Sequence, residues 1–333
     1  MINAPSRGMP LKLIIQIPCY NEAETLAIAL SALPVSVAGF DTVETLVIND
    51  GSTDNTAQIA RDFGVNHIVD LKTNQGLAKG FMAGIRECLH QGADVIVNTD
   101  ADNQYEAQDI PRLVEPMLSG RADYVIGERP IKETAHFSTS KKLLQGLGSW
   151  VVRKASGTDI PDAPSGFRAL SRACAEQLNV YNNYTYTLET IIQAGRRGMA
   201  ICSVPIRTNE DLRPSKLLSS IPNYIKRSAI TIVRIFVVYQ PFRSFMAVAI
   251  TLILSGLLLG LRYLYFKLTG DGAGHIQSVI VMGVLLVVGF QTALIAFIAD
   301  LLAVNRTILE DLRNTQRNSE AGKRQQLPDH AGD

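Results

Sequence analysis

Cysteine is scarce in this chain: four in 333 residues, Cys19, Cys88, Cys174 and Cys202, widely spaced and without a Cys-x-x-Cys pair. That pattern indicates neither a zinc site nor a disulfide framework, and it fits a reducing compartment. Surplus charge is missing too, since 32 Lys and Arg stand against 31 Asp and Glu for a formal charge of +1. Without a field of one sign, no nucleic acid is expected as a partner. Glycine is absent from "PCYNEAE", residues 18–24, where a glycine-rich phosphate loop would follow the first apolar run. The N-terminal "MINAPSRGMPLKLIIQIP" has one short apolar stretch that ends at a proline, with no small-residue cleavage site, and reads as a first strand rather than a signal peptide. No internal repeat is visible.

Long uncharged runs are present, at residues 245–261 and 278–299. The second would be about 33 Å long as a helix, enough for a hydrocarbon core of roughly 30 Å. The first is shorter, but Arg262 and Lys267 can snorkel outward while Tyr263, Tyr265 and Phe266 occupy the headgroup belt. Two membrane spans are expected. The connecting "TGDGAGHIQ" carries no Lys or Arg, whereas Arg227, Arg234 and Arg243 precede the first run and Arg306, Arg313 and Arg317 follow the second. By the positive-inside bias the soluble part and both termini face the cytoplasm, in a multi-pass protein of the inner (plasma) membrane. Residues 215–239 mix apolar positions with Lys216, Lys226, Arg227 and Arg234, a composition of helices lying in a membrane surface. The polar tail from Asn314 is expected to be disordered.

Residues 11–130 alternate short apolar runs with helix-like segments. "LKLIIQIP", "TLVIND", "HIVDL", "DVIVNT" and "DYVIG" are the expected strands, and 22–33, 56–63, 76–91 and 107–118 the expected helices. That order predicts an α/β fold with a mostly parallel, Rossmann-like sheet covered on both faces. Further helices are expected around 141–154 and 187–197. In such sheets ligands bind at the carboxyl ends of the strands. "PCYNEAE", "NDGSTD" and "TDADNQ" all fall there.

Residues two apart in an extended segment point to one side, so Asp100 and Asp102 can converge on one point. Two carboxylates, with the amide oxygen of Gln104 beyond, suit a hard divalent ion, Mg2+ or Mn2+, shared with substrate phosphates. The same residues would also serve as a solvated turn and helix cap. Asp50 leaves the second strand before the turn glycine Gly51 and could accept from a base or a ribose hydroxyl. Pro18, Tyr20 and Glu22 stand on the same rim, where a ring and a carboxylate could hold a nucleoside or simply open the next helix. Asp54 reads as a cap.

"IPCYNEAETL", "VINDGSTDNT", "NQGLAKGFMAG", "TDADNQY", "GERP" and "DAPSGFRAL" follow one another in an order and spacing that resembles the family 2 glycosyltransferases of the GT-A fold. The closest subgroup in pattern is the dolichyl- or polyprenyl-phosphate sugar synthases, including bacterial members ending in a membrane hairpin. The resemblance covers about residues 11–240. It implies that Pro18, Tyr20, Glu22, Ile48 and Asp50 hold the nucleotide, and that Asp100, Asp102 and Gln104 hold the metal around Ala101. It places Arg129, Arg207 and Lys216 where basic residues grip donor diphosphate or acceptor phosphate. Asp162, Ser165 and Arg168 fall in the loop that meets the acceptor, with Arg168 and Arg129 as grips on its phosphate and Asp162 either orienting acceptor or metal or structuring the loop.

Two departures stand out. The common Asp-Asp-Gly-Ser reads Asn49-Asp50-Gly51-Ser52, and the Gly-Lys pair of the third motif is interrupted as Gly76-Leu77-Ala78-Lys79, which makes Lys79 a helix-surface residue. The Q-x-x-R-W motif of processive synthases is missing around the single tryptophan, Trp150. The implied activity is sugar transfer with inversion from a nucleotide-sugar, of the GDP-mannose or UDP-glucose type, to polyprenyl phosphate at the membrane, by a metal-dependent polyprenyl-phosphate hexosyltransferase. A membrane-anchored, non-catalytic nucleotide-sugar sensor, a metal-dependent nucleotidyltransferase, another lipid acceptor and self-association into a homo-oligomer all stay open. The expected division is a catalytic domain at 1–210, juxtamembrane helices at 211–243, a two-helix hairpin at 244–300 and a cytosolic helix end with its tail at 301–333.

Overall fold

The computed structural model describes residues 10–130, 149–150, 152–153, 156–180, 186–210, 230, 233–234, 237–269 and 275–325. Lys216, most of the 215–239 segment and most of the 141–154 stretch lie outside the described residues. The chain divides into two compact units, Met1–Ser228 and Ala229–Asp333.

The first unit is built on seven strands: β1 (Lys12–Cys19), β2 (Thr42–Asn49), β3 (His67–Asp70), β4 (Val95–Asn98), β5 (Tyr124–Glu128), β6 (Arg168–Ser171) and β7 (Ile201–Pro205). They form one sheet in the order β3-β2-β1-β4-β6-β5-β7. β6 runs antiparallel to both neighbours, and the remaining pairings are parallel. The central strands are buried on both faces, which is why "LIIQIP" and "VIVN" are nearly unbroken apolar runs.

Helices α1 (Leu26–Ala32), α2 (Thr56–Phe63), α3 (Leu77–His90) and α4 (Ile110–Leu118) connect the parallel strands, and α5 (Arg172–Gln177) and α6 (Thr187–Arg196) follow β6. Alternation sets the two faces. Leu13 and Ile15 join Val95, Val97, Leu113 and Val114 in one core cluster under α4, and Ile17 packs with Leu26, Leu30 and Ala60 of α1 and α2. α3 covers the other face. There Gly84 has no room for a Cβ, which would meet Gln16 and Ile48, so the helix backbone lies directly on the sheet.

α1 begins at Leu26, later than the expected 22, because residues 22–25 form the turn that leaves β1. Parallel β1, β2 and β4 end on one edge, and antiparallel β6 starts there, Asn98 pairing with Arg168. The strand order reverses at β1 and β4, the position where α/β sheets open a crevice.

The second unit contains α7 (Pro241–Leu268) and α8 (Ile276–Gln325). Pro241–Leu268 and Ile276–Asn305 are each long and apolar enough to cross a membrane, with only 11% of either apolar window buried. Helices this exposed are not the core of a soluble domain. Glycines set their contact: a Cβ on Gly289 would lie 2.7 Å from Ile253, and one on Gly256 would lie 3.3 Å from Leu285. Such close backbone approach is how spanning helices pack without a hydrophobic driving force. α8 runs as helix through Gln325, including the polar stretch from Asn314. Gln, Glu, Arg, Ala and Lys dominate that stretch, and they are good helix formers despite their polarity.

Candidate active site

The β1 exit turns sharply. Asn21 has φ 53, its N–H donates to Ser52 Oγ at 3.0 Å, and its Oδ1 accepts the N–H of Thr53 at 2.8 Å. Pro18, Ile48 and Ala101 are buried in this region. Of the residues expected around a nucleotide, Tyr20 (42% exposed) and the half-buried Glu22 therefore reach outward. Asp50 is buried, and its two carboxylate oxygens accept the backbone N–H groups of Gln75 and Gly76, each at 2.8 Å. It thus fixes the loop entering α3 and retains lone pairs for another donor. Asn49, at the departure from Asp-Asp-Gly-Ser, donates from Nδ2 to Asp70 at 2.7 Å and accepts from Ser52 N–H at 3.0 Å. The amide serves the turn from both ends, donating to one partner and accepting from the other as a carboxylate could not. Asp54 accepts the N–H groups of Thr56 and Ala23, a capping role.

Asp100 and Asp102 follow β4 directly. Asp102 Oδ1 accepts the N–H of Gln104 at 3.1 Å, closing a tight turn around Asn103, whose φ is 56. Gln104 is partly buried, and its carbonyl accepts the N–H of Asn209 at 2.9 Å. Asn209 Nδ2 also donates to Asn103 O, so the segment after β7 clasps this turn. Burial, then the negative charge of Asp102, raises the Asp100 pKa to about 7, against the opposing pull of Arg129, Arg168 and a hydrogen bond from Tyr105. A cation would relieve both penalties. Among the described residues no three His, Cys, Asp or Glu side chains gather as a metal site. The chain offers two carboxylates and the Gln104 amide, a hard-oxygen set that fits Mg2+ or Mn2+ completed by phosphate and water.

Across the edge, Arg129 and Asp162 hold each other. Nε and Nη2 donate to the carboxylate at 2.7 and 2.9 Å, and the backbone N–H of Arg129 donates to it as well. Burial opposes the charge on Arg129, but Tyr105 and Asp162 outweigh it and raise its pKa. Arg207 lies at the surface, its Nη2 donating to Asp109 at 2.8 Å and its N–H at 2.7 Å. Asp109 is fully buried; burial pushes its pKa up, and the Arg207 hydrogen bonds overcome this to hold it low.

Arg168 was expected at the acceptor phosphate; its guanidinium is fully buried and donates to Ser165 O, Ala163 O, Thr187 O, Tyr124 Oη and Thr190 Oγ1 between 2.6 and 2.9 Å. It ties the 162–167 loop to the sheet and α6. Ser165 differs: its Oγ is buried and has no hydrogen-bond partner among the described residues. Tyr105, Asn98 and Asp109 organise the site and were not expected from sequence, though Tyr105 closes the "TDADNQY" motif.

The family described as glycosyl transferase family 2 matches residues 14–178. An undecaprenyl-phosphate mannosyltransferase of Micrococcus luteus is 31% identical over 223 residues, covering 63% of this chain and 89% of that protein. The chain belongs to glycosyl transferase family 2. A UDP-N-acetylglucosamine–dolichyl-phosphate N-acetylglucosaminyltransferase of Methanococcus voltae is 28% identical over 215 residues, covering 58% of this chain and 83% of that one. Among solved structures, glucosyl-3-phosphoglycerate synthase from Mycobacterium tuberculosis, in complex with Mn2+, UDP and glucosyl-3-phosphoglycerate, matches with a TM-score of 0.51. It is 20% identical and covers 67% of this chain and 80% of that chain. At that identity the likeness establishes the GT-A-like fold of this family member.

Proposed function

We propose that this family member transfers a sugar from a nucleotide-sugar, of the GDP-mannose or UDP-glucose type, to polyprenyl phosphate with inversion, at the cytoplasmic face of the membrane. The observation that carries the reading is the meeting at one sheet edge of the Asp100 and Asp102 carboxylates with the 162–167 loop, in a chain that also holds two apolar helices long enough to span a bilayer. Relatives named for undecaprenyl phosphate and dolichyl phosphate support the acceptor class, and they differ in the sugar that they name.

In this reading Asp100, Asp102 and Gln104 hold a divalent ion, which supplies charge neutralisation to the departing diphosphate. Tyr20 and Glu22 meet the nucleoside. Asp50 acts there through its remaining lone pairs and by fixing the 73–76 loop. The lipid phosphate is already an anion near neutral pH, so the chain need only hold it, and no strong general base is required. Ser165 Oγ, buried and free to donate, is offered to the acceptor phosphate, while the Arg129–Asp162 pair shapes the wall beside it. Arg207 and Lys216 add positive charge for the diphosphate. One displacement from the face opposite the leaving group inverts the anomeric centre. The catalytic domain would comprise 1–210, followed by interfacial helices at 211–243, the hairpin at 244–300 and a cytosolic end at 301–333, with both termini cytoplasmic at the inner membrane.

The test uses detergent-purified protein with Mg2+, undecaprenyl phosphate and a panel of UDP- and GDP-sugars, following nucleoside diphosphate release and the mass of the lipid product. One donor should turn over only when lipid is present, and Asp102→Ala should lower that turnover by on the order of a hundredfold or more while the protein stays folded. Failure of every donor to react would overturn the proposal, as would turnover indifferent to lipid.

A further inference from the structure

The peptide of Gly166 is held from both sides. Its N–H donates to Tyr105 Oη at 2.8 Å, and its carbonyl accepts from Asn98 Nδ2 at 2.8 Å. Asn98 is fully buried and cannot yield, because its Oδ1 accepts from Gln16 Nε2 at 2.9 Å and its Nδ2 also reaches Tyr186 Oη at 3.0 Å. The next residue, Phe167, stacks its ring on Tyr105 with centroids 5.2 Å apart and 9° between planes. The bare Cα of Gly166 faces Asp100. A Cβ there would stand 2.8 and 3.0 Å from the two carboxylate oxygens, tighter than packed atoms tolerate.

We propose that Tyr105 is a positioning residue for cation binding: its hydroxyl bonds the Asp100 carboxylate directly and, through Gly166, holds the 162–167 loop against it, and the two contacts together set the direction in which that carboxylate meets a divalent ion. This rests on the reading of Asp100 and Asp102 as cation ligands. The groups that orient a ligand carboxylate commonly matter to affinity nearly as much as the ligand itself. Here the orienting groups are the Tyr105 hydroxyl and the 162–167 loop that it holds, so cation binding and the order of that loop are coupled, and each must favour the other to the same degree.

The test is Mn2+ titration of the full-length protein in detergent, with UDP or GDP saturating, free Mn2+ being read by electron paramagnetic resonance. Thermal melting and metal-free nucleotide binding are measured in parallel. Gly166→Ala should weaken Mn2+ binding about tenfold or more, and Tyr105→Phe, which keeps the stacked ring and removes the hydroxyl, by roughly three- to tenfold, with metal-free nucleotide affinity unchanged. Thr190→Val removes one hydroxyl from the Arg168 bonds in the same region. It should lower the melting temperature and leave Mn2+ affinity at the wild-type value. Should Gly166→Ala not fold, Tyr105→Phe decides alone. Wild-type Mn2+ affinity in folded Tyr105→Phe, or equal weakening by Thr190→Val, would overturn the positioning role and reduce the clamp to packing. If the wild-type protein takes up no Mn2+ with either nucleotide, the cation reading of Asp100 and Asp102 fails and the inference with it.

Discussion

Arg168 and Ser165 are three positions apart in "DAPSGFRAL", yet the fold gives them opposite fates. The arginine is surrounded by five protein oxygens, while the buried serine hydroxyl has no hydrogen-bond partner among the described residues. Residue type and spacing identify both as polar groups of one loop, but they carry no information on which way a long side chain turns. The outcome depends on Tyr124, Thr187 and Thr190, which lie 19 to 44 residues away in sequence. Asp100 and Asp102 were legible as neighbours for the converse reason, because they are two positions apart just beyond β4 and their proximity is local. If Arg168 is a structural tie, Arg168→Lys should fail to rescue it, since an ammonium has three donors on one atom and cannot reach the same planar set. Leaving several buried carbonyls unpaired should cost about 3 kcal/mol or more in chemical denaturation. A lysine variant with wild-type stability but a raised KM for the lipid would instead restore the phosphate-grip role.

At the scale of elements, the apolar runs of β1, β2 and β4 and the polar clusters after them placed the crevice edge correctly, because strands buried on both faces need unbroken apolar sequence. β6 was not legible. It has four residues, and nothing in "RALS" states that it runs antiparallel between β4 and β5. Its direction brings the 162–167 loop onto the carboxylate edge, so the least readable strand makes the site. In the second unit the apolar periods mark the helices, and individual glycines decide how they meet. A Cβ on Gly289 would lie 2.7 Å from Ile253 and 3.2 Å from Ala249 O, whereas one on Gly283 would meet nothing within 4 Å among the described residues. Gly289→Leu should therefore open the α7–α8 pair, costing about 1–3 kcal/mol. Gly283→Leu should be neutral within about 0.5 kcal/mol. Thermal melting in detergent checks both, and equal losses at the two positions would show that the helices meet differently.

For the whole molecule, the proposed function gives binding to the first of the two units and access to lipid to the second. In that proposal the donor is soluble, and the residues proposed to meet it, Tyr20, Glu22 and Asp50 at one end and the Asp100 pair at the other, all lie in the first unit. The acceptor is different. In the proposed function its phosphate would be held by the first unit, but a long polyprenyl chain has its own affinity for the bilayer, at roughly 0.8 kcal/mol per buried CH2. Anchoring the chain in the same bilayer would turn the meeting into a two-dimensional search and raise the effective concentration of acceptor. Removing residues 240–333 should thus leave nucleotide and Mn2+ affinity within about twofold while lowering kcat/KM for undecaprenyl phosphate in vesicles by at least about a hundredfold. A short, water-soluble polyprenyl phosphate should be used almost equally by the truncated and full chains. Parallel loss of nucleotide binding would mean that the second unit supports the fold of the first, and an equal loss with both acceptors would mean that it takes part in the site itself.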